Sequence, residues 1–394
     1  MKTDYHDGTL TIYLEGRIDS NNANETESQI TDALSQNPEA SNIQFDADKL
    51  DYISSAGLRV LLKVRKIISK PLPVLNASSE IYGIFDVTGF TELLDVHKKL
   101  REVSVDGCEL LGEGANGKVY RLTKDEMIKI FRPEITLDII ESERESSRKA
   151  FLLGIPCAIA FDTVKCGESC GTIYEMLNAG TLTERIRANP DRLPELAEGA
   201  GVLLRQLHAI DVPEEQMPRV SPKLHGLVDK IADDFTPDEV MKMHALYNAI
   251  PEQNHFVHGD YHTKNIMESN GELMLIDLGD SGRGNPLLDL MHTYFVMNLT
   301  GGSSKHSDDD MGFVGLTYRE MRTFWEIMFE AYCGGDTAKA EMLQAKIAGY
   351  AMMMYLNVSM AHPLLPKEYH SVYADKVRSE VLSHYDELMS IKWE

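Results

Sequence analysis

Two neighbouring segments carry most of the information in this chain: HGDYHTKN at 258–265 and IDLGD at 276–280. The residues between them predict two short strands joined by a turn at Ser269-Asn270-Gly271. A hairpin of this length brings Asp277 back beside Asn265. Their oxygens suit Mg²⁺, which prefers hard ligands and keeps waters and phosphates in its shell. Asp260 then remains available to face a substrate hydroxyl, and together these groups are what phosphoryl transfer from ATP requires.

Bulk properties narrow the classes of function. A length of 394 residues predicts two or three domains. The formal net charge of −23 and the lack of a basic stripe argue against nucleic acid as a partner. No apolar run is long enough to insert into a membrane, and no secretion signal is recognisable at the N-terminus. Five scattered cysteines do not form a disulfide framework, so we expect free thiols and a cytoplasmic location.

A glycine-rich segment lies upstream of the hairpin. Gly112, Gly114 and Gly117 form a GxGxxG pattern, which alone is equally compatible with a simple turn. A dinucleotide-binding fold would continue with a helix, whereas here a strand pattern follows Gly117 directly. Lys129 lies on the next strand between two isoleucines, so its ammonium needs a partner inside the protein. This order of strand, glycine flap, strand and lysine-bearing strand is typical of protein kinases.

The first hundred residues follow a different pattern, in which short strands alternate with helices. Ser54 and Ser55 stand where a helix should begin, and either hydroxyl could serve as its N-cap. The alternative is that one serine accepts a phosphate, because free N–H groups and the helix dipole favour an anion at this position.

Residues 1 to about 103 resemble a STAS domain, the fold of anti-sigma factor antagonists. The resemblance rests on three segments: GRIDS at 16–20, FDADKLDYISSAGL at 45–58 and FDVTGF at 85–90. It implies a four- or five-stranded mixed sheet with helices on one side, and an anti-sigma-like or other regulatory protein as partner. Family members are phosphorylated on the serine that follows an Asp in this loop. Alignment on Gly57-Leu58 assigns that place to Ser55, with Ser54 where the Asp is common.

The remainder, 104–394, resembles the aminoglycoside phosphotransferase and choline kinase-like family, which shares the protein-kinase fold. The resemblance rests on these residues: Gly112, Gly114, Gly117, Lys129, His258-Gly259-Asp260, Asn265, Asp277 and Gly284-Asn285-Pro286. It implies a β-rich N-lobe over about 104–177, a helical C-lobe over about 182–394, and ATP and Mg²⁺ as cofactors. The loop reads HGD instead of HRD, and a long activation segment is missing, which implies a small-molecule acceptor.

The resemblance also implies a role for each residue of the site. Asp260 orients the acceptor hydroxyl, Asn265 and Asp277 hold Mg²⁺, and Lys129 binds the α- and β-phosphates under the three glycines. A glutamate from the predicted helix 139–153 fixes the lysine. We expect Glu145 in this role, because it lies about one helix length before Gly154-Ile155-Pro156 as in related kinases, with Glu141 as the alternative.

A connector follows the strand that ends near Glu175. In kinases this connector is the hinge whose backbone binds adenine, and the segment from Glu175 to Leu177 would supply those contacts. A plain linker between lobes is the alternative.

The predicted fold is therefore an α/β STAS domain followed by an α+β kinase-like domain. The leading hypothesis is an ATP-dependent phosphotransferase that acts on a hydroxyl of a small molecule and carries a regulatory or docking STAS domain. The second is a regulatory protein kinase that phosphorylates Ser55 in cis or in trans. The third is a non-catalytic, nucleotide-binding partner-switch protein.

Overall fold

The chain divides between Val103 and Ser104 into two units. The computed structural model describes residues 1–68, 72–114, 116–269, 271–300, 307–362 and 365–392. None of the helices within these ranges combines the length and apolar character needed to cross a bilayer. All five cysteines are unpaired.

The first unit is built on a mixed five-stranded sheet, as the resemblance implied. Its elements are β1 (Thr3–His6), β2 (Thr9–Ile18), α1 (Ala23–Gln36), β3 (Asn42–Ile53), α2 (Ser55–Ile68), β4 (Pro73–Ala77), α3 (Ser79–Val87), β5 (Asp95–Lys98) and the short β6 (Arg101–Glu102). The order is β1-β2-β3-β4-β5, with β1 antiparallel to β2 and the other pairings parallel. Leu10, Ile12 and Leu14 alternate along β2 and are buried, so one face of that strand meets the core.

The second unit begins with an antiparallel sheet and one long helix. Its elements are β7 (Leu110–Glu113), β8 (Gly117–Arg121), β9 (Glu126–Phe131), α4 (Leu137–Leu152), β10 (Ala160–Cys166) and β11 (Ser169–Glu175). These strands pair in the order β10-β11-β9-β8-β7. Lys129 lies on the central strand β9, opposite Val119 of β8 and Thr172 of β11. The lysine is therefore fixed by pairing on both sides.

The rest of the second unit is mainly helical. Its elements are β12 (Gly180–Thr181), α5 (Leu182–Ala188), α6 (Leu193–Leu207), α7 (Ser221–Ile231), α8 (Pro237–Ala249), β13 (His255–Val257), β14 (Ile266–Ser269), β15 (Glu272–Leu275), β16 (Gly282–Gly284), α9 (Leu287–Tyr294), a π-helix (Phe295–Leu299), α10 (Tyr318–Cys333), α11 (Thr337–Ala361), α12 (His370–Glu380) and α13 (Tyr385–Met389). A large apolar core joins these helices and reaches Phe256 of β13 and Ile266 of β14. The loops at the ends of these two strands are thus anchored on the core.

Candidate active site

The predicted hairpin is present. Ile266 of β14 pairs with Leu275 of β15, and the Ile276 N–H donates to the carbonyl of Asn265 at 3.0 Å. This register places Ile276 opposite Asn265, so Asp277 follows one residue beyond the pairing. Asn270, in the predicted turn, lies outside the described residues. Local strand pairing therefore brings together the two segments that carry the candidate metal ligands.

A buried aspartate holds the loop that carries Asp260. The Asp289 carboxylate accepts hydrogen bonds from the backbone N–H groups of His258, at 2.8 Å, and Gly259, at 2.7 Å. Its Oδ2 also lies 3.1 Å from Nε2 of His208. Burial would raise the pKa of Asp289, but the hydrogen bond and charge of His208 and the donors at His258 outweigh it and lower the pKa. An ionised carboxylate in the core thus fixes the loop backbone.

Gly259 is the one loop position at which a side chain is excluded. Its φ is +85°, and a Cβ there would lie 2.5 Å from the carbonyl oxygen of Asp280. Glycine lets the loop pass directly against the segment that follows Asp277.

Both carboxylate oxygens of Asp260 have partners. Oδ2 accepts from Nδ2 of Asn265 at 2.8 Å. Oδ1 lies 3.2 Å from Nε2 of His262 and 3.5 Å from Nε2 of His292. Because Nδ1 of His262 accepts the Lys264 N–H at 3.3 Å, the ring proton of His262 must be on Nε2, facing Asp260. Neither His262 nor His292 was predicted to have a role; the position of His262 two residues after Asp260 is the one sequence signal for it.

The pKa of Asp260 lies well below its ordinary value. Burial alone would raise this pKa, but the hydrogen bond from His262 and the electrostatic interactions with His262, His292 and His258 outweigh it. Such a carboxylate is a weak base. It is suited to accept a hydrogen bond from a hydroxyl and orient it, with proton transfer only late in a reaction.

Lys129 lies between two carboxylates. Its Nζ is 2.7 Å from Oε1 of Glu143 and 3.1 Å from Oδ1 of Asp277. Burial would lower the pKa of Lys129, but the two carboxylates outweigh it and raise the pKa, so the ammonium stays charged. The Tyr174 hydroxyl donates to the same Glu143 oxygen at 3.2 Å. A buried cation thus connects strand β9, helix α4 and the residue after the hairpin.

Asp277 has a backbone conformation that is unusual for a residue with a side chain. Its φ is 59° and its ψ is 62°, in the left-handed region. Such conformations cost about 1–3 kcal/mol and persist only where the surroundings impose them. Here the conformation presents the Asp277 carboxylate to Lys129.

The prediction of Glu145 as the partner of Lys129 is wrong. Glu145 forms a partly exposed ion pair with Arg148, and the alternative, Glu141, pairs with Arg144. Glu143 is buried, because the inward stripe of α4 follows helical spacing through Ile140, Glu143, Ser146, Ser147 and Ala150. The sequence distance from Gly154 favoured Glu145, which lies on the wrong face of the helix. Because this stripe contains two serines and only two apolar residues, no apolar periodicity in the sequence singles out Glu143.

The three glycines of the flap differ in their surroundings. A Cβ on Gly112 or Gly114 would meet nothing within 4 Å. A Cβ on Gly117 would lie 2.0 Å from the carbonyl oxygen of Ile130, so Gly117 is required by the β8–β9 pairing itself. Ala115 lies outside the described residues. Only Gly112 and Gly114 leave open space for an approaching ligand.

The predicted hinge borders a small apolar cluster. The Glu175 N–H donates to Ile159 and the Met176 N–H to Asp125, whereas the Leu177 N–H has no partner among the described residues. The cluster consists of Ala158, Ala160, Tyr174 and Leu177, with Met127, Ala179, Met267, Met274 and Ile276 packed against it. A free N–H beside an apolar wall suits a flat heterocycle with one polar edge.

The oxygens beside Asp260 fit a magnesium ion that is also held by phosphates. With Nδ2 of Asn265 committed to Asp260, the amide oxygen of Asn265 is left for a cation, as is Oδ2 of Asp277. No group of three or more His, Cys, Asp or Glu suited to a metal occurs in the described ranges. Mg²⁺ needs only one or two protein ligands when phosphates and waters complete its shell.

In the first unit, Ser54 and Ser55 have different environments. The Ser54 Oγ accepts from the N–H groups of Ala56, at 3.2 Å, and Gly57, at 3.4 Å, and so caps helix α2. Ser55 is exposed, and no hydrogen bond of its side chain occurs within the described part of the chain. The capping role therefore belongs to Ser54, and the hydroxyl of Ser55 is accessible.

A β-rich lobe with a paired lysine, a helical lobe and an HGD loop held by a buried aspartate define a kinase-like phosphotransferase. The chain belongs to the phosphotransferase enzyme family, whose model matches residues 107–323. The STAS domain model matches residues 1–103. That part is 31% identical over 99 residues to a candidate anti-sigma factor antagonist, BtrV of Bordetella bronchiseptica, covering 24% of this chain and 84% of that protein.

Several solved structures are similar to this chain. The ADP-bound aminoglycoside phosphotransferase APH(2'')-Ib is 12% identical and has a TM-score of 0.44, with 78% of this chain and 96% of that chain covered. A choline/ethanolamine kinase family protein from Mesorhizobium loti is 17% identical and has a TM-score of 0.42, with 72% and 88% covered. Similarity of this degree does not identify an acceptor.

Replacing Asp289 tests the support of the loop. Asp289→Asn leaves buried N–H donors incompletely paired, and we expect it to lower the free energy of unfolding by about 3 kcal/mol at pH 7. Because the folded-state pKa of Asp289 is lowered, its contribution is complete above the unfolded value of about 3.9 and is lost as pH falls through the folded value. The difference between wild type and variant in urea unfolding should therefore shrink below about pH 4.

Asp309→Asn is the matched control for this measurement, because Asp309 forms an exposed ion pair with Arg319. We expect it to change the free energy of unfolding by less than about 0.5 kcal/mol. Equal effects of the two variants at pH 7 would contradict the role given to Asp289.

Proposed function

We propose that this protein is an ATP- and Mg²⁺-dependent phosphotransferase that transfers the γ-phosphate to a hydroxyl of a small molecule, with its STAS domain in a regulatory or docking role. The observation that carries the proposal is the Lys129 ammonium, which lies between Glu143 and Asp277 in a structure where Asn265 hydrogen-bonds Asp260. The five unpaired cysteines are consistent with a cytoplasmic site of action.

The residues divide into a donor side and an acceptor side. On the donor side, Lys129 replaces a contact with a carboxylate by contacts with the α- and β-phosphates. Glu143 keeps the lysine in place. The Leu177 N–H contacts the edge of the adenine. Asn265 and Asp277 would hold Mg²⁺, which neutralises charge on the phosphates when bound. The backbone at Gly112 and Gly114 is open to phosphate oxygens.

On the acceptor side, Asp260 orients the hydroxyl toward the γ-phosphorus. A new bond forms between the hydroxyl oxygen and phosphorus while the bond from phosphorus to the ADP oxygen breaks. Asp260 accepts the hydroxyl proton late, as its low pKa requires.

The short connection after Asp277 favours a small-molecule acceptor. Helix α9 begins at Leu287, and β16, Gly282–Gly284, is occupied by pairing with β13. The stretch between Asp277 and α9 therefore offers little chain with which to bind a polypeptide substrate.

The direct test is a screen for acceptor-dependent ATP consumption with aminoglycosides, choline-like alcohols, sugars and homoserine. With a responsive acceptor, we expect Asp260→Asn to lower kcat by about 10²–10⁴-fold while nucleotide affinity changes little. A variant as active as wild type would contradict the role of Asp260. Nucleotide binding with no acceptor turned over would favour a non-catalytic, nucleotide-binding partner-switch protein.

The choice between the glutamates of α4 is tested by neutral replacement. Glu143→Gln removes a charge-assisted hydrogen bond worth about 1.5–3 kcal/mol, so we expect the Kd for Mg·ATP to rise tenfold or more. Glu145→Gln removes only a partly exposed pair with Arg148 and should change the Kd less than about twofold. Calorimetric titration measures both, and a larger effect at Glu145 would contradict the assignment.

A second candidate function is a kinase whose acceptor is Ser55, in cis or in trans. The accessible hydroxyl of Ser55, freed by the capping role of Ser54, favours it. If it holds, incubation with ATP and Mg²⁺ labels wild type and Ser54→Ala, but neither Ser55→Ala nor Asp260→Asn. A label that survives Ser55→Ala rules this candidate out.

A further inference from the structure

The environment of Asp260 distinguishes two sides of the carboxylate. Oδ2 faces Asn265, the proposed Mg²⁺ ligand, so this side belongs to the phosphate donor. Oδ1 faces His262 and His292. An acceptor that does not compete with the nucleotide must therefore approach along the Oδ1 side, past these imidazoles.

An exposed aromatic ring and a lysine lie beyond His262 on that side. The ring of Phe313 is 6.2 Å from the ring of His262, edge to face, and the residue is 64% exposed. Nζ of Lys264 donates to the Phe313 carbonyl at 3.0 Å and lies 5.3 Å from the Phe313 ring centroid. A large exposed aromatic residue beside a histidine that contacts the proposed catalytic carboxylate is a typical wall for a ligand.

The charge of Lys264 is not neutralised by the protein. Across the described ranges, no carboxylate forms an ion pair with it, and its side chain is exposed. Three nearby carboxylates already have cationic partners: Asp280 with Lys223, Asp308 with Arg322 and Asp309 with Arg319. Asp310 accepts the Ser307 N–H at 2.7 Å. Three acceptor-side carboxylates are thus held by cations, whereas Lys264 pairs with no carboxylate among the described residues, a distribution that favours an anionic ligand over a polycationic one.

We propose that the acceptor carries an anionic group, a carboxylate or a phosphate, that binds Lys264 while its body lies against Phe313. The hydroxyl to be phosphorylated then reaches Asp260 past His262. This inference rests on the proposed function, because it names the acceptor class of the same site. An anionic acceptor would distinguish this protein from kinases that act on aminoglycosides or choline, even though the net charge of the chain is −23.

The test uses the full chain with Phe313→Trp as a fluorescent reporter, in the presence of Mg·AMP-PNP. Charge-matched probes are glycerate, glycerol 3-phosphate and glycerol, then gluconate and glucose, with choline and kanamycin as cations. We expect a saturable change in fluorescence with at least one anionic probe, at a Kd at least tenfold below that of its neutral counterpart. The carboxylate and phosphate probes distinguish the two kinds of anion.

Variants at two lysines show whether the response depends on Lys264. Added to Phe313→Trp, Lys264→Gln should weaken anion binding at least tenfold, and Lys264→Arg should retain it. Lys223→Gln is the control, because Lys223 is already paired with Asp280 at 3.0 Å; it should change the Kd less than twofold. Thermal unfolding of each variant verifies that it is folded.

Three results would overturn the inference: no response to any anion, tighter binding of choline or kanamycin, or anion binding unchanged by Lys264→Gln. AMP-PNP binding is measured separately by calorimetry. A protein that binds no nucleotide contradicts the proposed function, whereas nucleotide binding without a Lys264-dependent anion response contradicts only the anionic acceptor.

Discussion

The structure of the second unit depends on compensation of one buried positive charge. The Lys129 side chain is only 16% exposed, and an ammonium so placed is costly unless it is paired. Its partners come from distant elements, since Glu143 lies in α4 and Asp277 follows β15. The same charge that demands these carboxylates makes the position attractive to phosphates. The structural requirement and the proposed phosphate-binding function would therefore coincide at the Lys129 ammonium.

A second buried charge fixes the other half of the site. Asp289 is fully buried and holds the loop that ends at Asp260 through two backbone N–H groups. Where strand pairing does not set the geometry, the backbone has a positive φ, which glycine permits at Gly259 and the surroundings impose at Asp277. The Asp260 carboxylate is thereby fixed relative to Asn265 before any ligand binds. Such pre-organisation is what positioning catalysis requires.

Features that depend on neighbouring residues could be predicted from the sequence. The β14–β15 hairpin and the lysine-bearing strand follow from short-range pattern and turn chemistry, and both are present. Features that depend on which helix face turns inward or on distant contacts could not. Glu145 has the expected sequence distance from Gly154, but Glu143 lies on the buried face of the helix. His292 comes to Asp260 from α9, 32 positions away in numbering, and no local pattern indicates it.

We propose that, when nucleotide binds, Lys129 replaces a contact with a carboxylate by contacts with the nucleotide phosphates. The most direct test of this proposal is the Kd for Mg·AMP-PNP of Lys129→Met, measured by calorimetry beside Lys124→Met, in which an exposed lysine is replaced. Loss of charge-assisted contacts worth about 3 kcal/mol predicts a Kd roughly a hundredfold higher for Lys129→Met and unchanged for Lys124→Met. Equal affinities of folded Lys129→Met and wild type would contradict the account.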